Sequence, residues 1–106
     1  MGQYHMVYNL DKEEYFRADM LKLKEQIGTH GSTTALFMLV ANSNGRGGGD
    51  FEDHELIGRW AGDRIVVQGD YAEVGDSGFI PDRSLNRFKN ISNEVWDMVE
   101  KGMEGY

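Results

Sequence analysis

The chain has 106 residues, of which 18 are acidic and 11 basic, giving a net charge of −7, and it contains no cysteine. That length makes residues 1–106 a single domain able to bury a core without staples. The missing cysteines exclude disulfides, thiolate catalysis and Cys-based zinc or iron–sulfur centres, and the negative balance disfavours direct binding to nucleic acid or to an anionic membrane. It suits solubility or a basic protein partner.

The opening MGQYHMVYNL has neither a basic stretch nor a long apolar run, so no signal peptide is expected. The longest apolar run, Ala35 to Ala41, falls far short of a membrane span. Gly2 follows Met1, but Met6 stands where a myristoylation signal needs Ser or Thr. The expectation is a cytoplasmic protein without membrane contact.

Tyr4, Met6, Tyr8 and Leu10 alternate with His5, Val7 and Asn9, the period of a strand. Asp11-Lys12 reads as a turn and Glu14 to Arg17 as a short returning strand. Asp19 suits the cap of a helix from Met20 to Gln26 with Gly28 as its stop. Ser32 suits the cap of a second helix, Thr33 to Asn42, apolar on nearly every side and therefore expected at the centre of the core.

Residues 42 to 50, NSNGRGGGD, read as a flexible glycine-rich loop, followed by the acidic DFEDHE at 50 to 55. Leu56 to Trp60 and Arg64 to Gln68 read as a hairpin turning at Gly62-Asp63, with glycine first as a type II′ turn requires. Arg83 to Lys89 reads as a short helix. Ser92 suits the cap of a last helix, Asn93 to Lys101, burying Val95, Trp96, Val99 and Met103, with Ile91 and Trp96 as a hydrophobic staple. The expected fold is α+β: a small antiparallel sheet of three or four strands packed against three or four helices in two layers.

The motifs that carry chemistry are few. Gly75-Asp76-Ser77-Gly78 matches the surroundings of a trypsin-like serine, but these are ordinary turn formers, and a chain this short cannot build two barrels. The glycine loop lacks the Lys-Ser/Thr ending of a P-loop and follows a helix instead of a strand. It remains either a mobile loop or one that orders on a partner. Neither the acidic segment nor His5, His30 and His54 has the spacing of a metal site, so no metal or cofactor is expected. Arg83, Arg87 and Lys89, with Arg59 and Arg64, form either a basic patch or a set of surface pairs with the acids around them. No histidine is placed by sequence beside Asp70, so no acid–base pair and no catalytic residue can be named.

Several blocks together carry a resemblance. They are Met1-Gly2-Gln3-Tyr4 with Val7 to Tyr15, Asn44 to Asp50, Gly58-Arg59-Trp60-Ala61-Gly62-Asp63-Arg64-Ile65-Val66, Gly69-Asp70-Tyr71 and Lys89-Asn90-Ile91-Ser92. In these blocks the chain resembles a family of small uncharacterised phage and bacterial proteins, over most of its length. It departs from the family across residues 17 to 31, which lack its usual apolar run, and in shortened stretches before Leu56 and after Tyr71. The family has no assigned reaction, so the resemblance brings no functional residue with it.

Two readings follow. The first is a non-catalytic phage or prophage binding protein directed at a host protein complex, in its sharpest form an inhibitor of bacterial defence in the manner of anti-CRISPR proteins. Its expected contacts are Asp50, Glu52, Asp53, Glu55, Trp60 and Arg64. The second is a nucleotide- or small-molecule-binding domain or small enzyme, its site lying between the glycine loop and the hairpin at Arg46, Asp50, Asp63, Asp70 and Tyr71.

Overall fold

A computed structural model of the chain describes residues 4–17, 31–47, 51 and 54–102. The expected helix from Met20 to Gln26 lies outside the described residues.

The alternation at the N-terminus does make a hairpin. Strand β1 (His5–Asn9) pairs antiparallel with β2 (Glu14–Arg17), placing Val7 opposite Phe16 and Asn9 opposite Glu14. Asn9 closes the turn itself: its side-chain oxygen accepts the backbone N–H groups of Asp11 at 2.8 Å and Lys12 at 2.7 Å. This is the Asx device that favours asparagine at turns.

Helix α1 (Ser32–Val40) starts one residue earlier than expected, with Gly31 rather than Ser32 at the N-cap and no capping side chain. It buries one stripe, Ser32, Ala35, Met38 and Leu39, while Phe37 on the opposite side is 71% exposed. The expectation of a helix buried all round is thereby corrected. Composition gave no direction because nearly every position is apolar, and only packing selects the inner face.

The segment after it carries the main correction to the expected architecture. Leu56 to Trp60 is not a strand, and no hairpin forms across Gly62-Asp63. Residues 54–63 instead run through successive turns, with N–H groups bonding the carbonyl three residues back: Ile57 to His54, Arg59 to Leu56, Ala61 to Gly58 and Asp63 to Trp60. Two further N–H groups reach across to α1. Gly58 donates to Met38 O at 2.9 Å and Trp60 to Leu39 O at 2.8 Å. The last carbonyls of a helix have no partner within it, and this turn segment supplies two. It approaches so closely that a Cβ on Gly58 would lie 2.9 Å from Ala41 O, and Gly58 holds φ at +80°.

Strand β3 (Ile65–Gly69) pairs antiparallel with β1, not with the segment preceding it. A one-turn helix α2 (Asp82–Leu85), shorter than expected, leads to the two-residue strand β4 (Lys89–Asn90), which lies parallel to β2. The order β3-β1-β2-β4 makes a four-stranded sheet that is mixed, not wholly antiparallel. Helix α3 (Ser92–Gly102) closes the described chain and buries Val95, Met98, Val99 and Gly102; of the expected stripe, Trp96 is only partly buried and Met103 lies outside the described residues. The Ser92 hydroxyl does not cap it; it accepts the Arg17 N–H at 2.8 Å and donates to Asn90 Oδ1 at 2.6 Å, fixing the helix start to the end of β2.

The class is α+β as expected. Among the described residues there are two helices of more than one turn, α1 and α3, beside the single turn of α2, which is fewer than the expected three or four. One sheet face presents Val7 and Phe16 to a core built with Ala35, Met38, Leu39, Trp60, Val95 and Met98. The other face holds Tyr8, whose ring meets those of Tyr15 and Phe88 at centroid distances of 5.4 Å. Burial raises the Tyr8 pKa, and Tyr15 adds to the effect.

Candidate functional site

Charged side chains converge where the β1–β2 turn meets residues 59–64. Glu14 sits on β2 two residues before Phe16, so the strand period turns both inward. Its carboxylate is buried and accepts three groups: Arg59 Nε at 3.0 Å, Arg59 Nη2 at 2.6 Å and the indole N–H of Trp60 at 2.8 Å. Burial pushes the Glu14 carboxyl up, but the hydrogen bonds from Arg59 and Trp60 outweigh it and hold the group below the usual carboxylate range. The same pair raises Arg59.

Beside it, Asp63 accepts Lys12 Nζ at 2.5 Å and Asn9 Nδ2 at 2.8 Å, and these two bonds lower its pKa. Asp11 accepts the Arg64 backbone N–H at 2.7 Å and Arg64 Nε at 3.0 Å, which lowers Asp11 in turn. These contacts fasten one turn of the chain to another, and every carboxylate in them is held ionised at neutral pH. That suits a clamp more than a group that must gain and lose a proton.

A smaller tie joins the loop before Leu56 to α3. His54 Nδ1 accepts the Leu56 N–H at 3.1 Å and its Nε2 lies 3.2 Å from Asp97 Oδ2, a contact that lowers the Asp97 pKa. The glycine loop is closed at its base by Asn44, whose amide exchanges two hydrogen bonds with the Phe51 backbone, at 3.0 and 3.2 Å.

The described ones among the residues singled out from the sequence do not come together in one site. Asp50, Glu52 and Asp53 lie outside the described residues. Glu55 is exposed, and Arg64 is exposed while paired to Asp11. Trp60 is completely buried among core residues and presents no surface to a partner. In the second set, Arg46 lies exposed in the turn after α1. Asp63 precedes β3 and Asp70 follows it, which at ~3.3 Å per residue puts them roughly 20 Å apart. Asp70 is tied to Tyr4, and Tyr71 stands 60% exposed beside it. Asp76 and its neighbours serve a turn: the Asp76 carboxylate accepts the Glu73 N–H at 3.0 Å, and Gly75 and Gly78 hold positive φ.

Sequence reasoning missed Glu14, Asn9 and Lys12, and of Arg59 it expected either a basic patch or a surface pair; the structure shows the pair, with Glu14. A signal for Glu14 was present, because a strand with Phe16 inward puts Glu14 inward too, where a carboxylate needs partners.

A second feature lies along β3. Residues 71–80 fold back beside the strand, held by Gln68, whose side chain donates to Ile80 O at 3.0 Å and accepts the Ile80 N–H at 2.7 Å. Between strand and loop runs an open groove of about 290 Å³, lined by Val67, Gln68, Tyr71, Asp76 and Phe79 among others.

Among the described residues no group of three or more His, Asp or Glu is placed to hold a metal ion, and no helix is long and apolar enough to cross a membrane. No family model, no curated protein and no solved structure matches the chain.

Proposed function

We propose that the chain is a small, acidic, non-catalytic binding protein of phage or prophage type, acting in the cytoplasm on a host protein complex. Interference with a bacterial defence system, as anti-CRISPR proteins achieve it, is the sharpest form of this reading. The observation that carries it is a division of labour among side chains. Six charged groups are paired within the fold, Glu14 with Arg59, Asp63 with Lys12 and Asp11 with Arg64. The exposed surface carries large apolar side chains, Tyr71 and Val74 among them, set between acids. Such side chains rimmed by charge are the composition of a protein-binding face.

The reading of a small-molecule site draws less support, because Asp63 and Asp70 stand at opposite ends of β3 and Asp63 is already bonded to Lys12 and Asn9.

Affinity capture from bacterial lysate with the tagged protein, repeated after nuclease treatment, tests the proposal. One host complex enriched equally with and without nuclease is the expected result. Loss of the captured material on nuclease treatment, or a thermal shift caused by a nucleotide or metal with nothing captured, overturns it.

A further inference from the structure

Among the described residues the outer edge of β3 has no strand partner. Leu10 N–H donates to Arg64 O and Asp70 N–H to Tyr4 O, both at 2.9 Å. In an antiparallel ladder hydrogen-bonded positions alternate, so residues 64, 66, 68 and 70 direct their backbone groups toward β1. Residues 65, 67 and 69 direct theirs outward. Gly69 O takes the Ala72 N–H at 3.1 Å, but no described residue bonds the outward N–H or C=O of Ile65 or Val67. Natural edge strands are normally blunted by proline, lysine or a covering segment. This one reads Ile65-Val66-Val67, and Val67 is 45% exposed.

The loop beside this edge is prepared, and its charges are of one sign. The Gln68–Ile80 hydrogen bonds hold the loop that forms the groove, so little ordering is required on binding. From Ile65 to Asp82 there is no Lys, Arg or His, while Asp70, Glu73 and Asp76 are exposed.

We propose that the outer edge of β3 takes an extended, basic segment of a partner protein as a fifth strand. This rests on the binding-protein reading and names its surface and the chemistry of what it binds. The added strand exchanges main-chain hydrogen bonds with Ile65 and Val67. Its alternate side chains fall on two faces: apolar ones beside Val67, and Lys or Arg ones over the groove, against Glu73 and Asp76. A second copy of this chain is the less suitable occupant, because each copy brings a charge of −7 to the contact.

The test uses the ¹⁵N-labelled protein and an acetylated, amidated octapeptide of alternating Lys and Val. Saturable amide shifts at Ile65 to Gly69 and Tyr71 to Phe79 are expected, weakening with added salt. The Glu–Val counterpart and a Lys–Val peptide N-methylated at alternate residues should leave these amides in place. Val67→Pro removes an N–H that the β1 ladder does not use, and should weaken binding about tenfold or more. Glu73→Gln with Asp76→Asn, on the exposed loop, should weaken it about threefold or more and flatten the salt dependence.

Absence of shifts at millimolar peptide, shifts elsewhere, or equal binding of the Glu–Val peptide overturns the proposal. So does a concentration-dependent dimer with Ile65 and Val67 amides protected, which assigns the edge to a second copy. Lysate capture separates the two levels: if Val67→Pro captures the same nuclease-resistant complex undiminished, the edge assignment falls and the binding reading stands.

Discussion

The indole N–H of Trp60 donates to the carboxylate of Glu14 at 2.8 Å across 46 residues of sequence. That bond joins the first hairpin to the turn segment that completes the end of α1. Arg59 grips the same carboxylate from the solvent side. Removing Glu14 strands three donor groups on two residues, one of which, Trp60, is fully buried. Glu14→Ala should cost about 2 to 3 kcal/mol in urea unfolding, below the figure for a wholly buried pair because Arg59 is half exposed. Trp60→Phe should cost about 1 to 2 kcal/mol from the lost donor alone. The double variant should cost less than the sum, since the two share one bond.

The same contacts set the response to acid. Asp11, Glu14, Asp63 and Asp97 are all lowered in the folded state. The unfolded chain therefore takes up protons first as the pH falls. The stability these groups contribute is complete above their unfolded values, about pH 4 to 4.5, and disappears as the pH drops through the lowered folded values. The urea midpoint should stay level from pH 7 to about 5 and fall below that. Glu14→Gln should start lower and fall less steeply; a midpoint that rises on acidification contradicts the clamp.

Two glycines separate conformational strain from collision. Gly58 and Gly62 have φ of +80° and +82°, yet a Cβ meets the Ala41 carbonyl at 2.9 Å at Gly58 and open space at Gly62. Gly62→Ala should cost about 1 kcal/mol, the ordinary left-handed penalty. Gly58→Ala should cost at least about 2 kcal/mol, because the backbone atom it strikes belongs to the end of α1. Equal costs at the two sites would contradict the close packing of this turn on the helix.

Helix α1 offers neighbouring positions of opposite character. Met38→Ala should lose about 2 to 5 kcal/mol, as a large buried side chain does. Phe37→Ala, on the exposed side, should change stability by no more than about 0.5 kcal/mol. A strongly destabilised Phe37→Ala would mean that the helix buries another face.

How far the fold was legible follows from where each interaction is encoded. The β1–β2 hairpin and α3 were readable because alternation and an amphipathic stripe lie within a few residues of each other. The inner face of α1 was not, since Ala35 to Ala41 are apolar throughout and carry no phase. The hairpin expected at Gly62-Asp63 failed because Gly58 and Trp60 give their N–H groups to Met38 and Leu39 and because β3 finds its partner in β1. Both are long-range pairings that local propensity does not encode. Trp60 and Arg64 are expected at a partner because they lie on that expected hairpin; burial gives Trp60 to the core, and Arg64 pairs with Asp11. That the outer edge of β3 has no strand partner among the described residues was invisible from sequence, because it depends on the order of strands in the sheet.

The most direct measurement is amide hydrogen exchange on the protein alone and in complex with the captured partner. New protection is expected at Ile65, Val67 and residues 70–79, and none across Asp11 to Glu14 and Arg59. Protection centred on the Glu14–Arg59–Asp63 cluster instead, with β3 unchanged, would make that cluster the binding site and contradict the assignment of those charges to the fold.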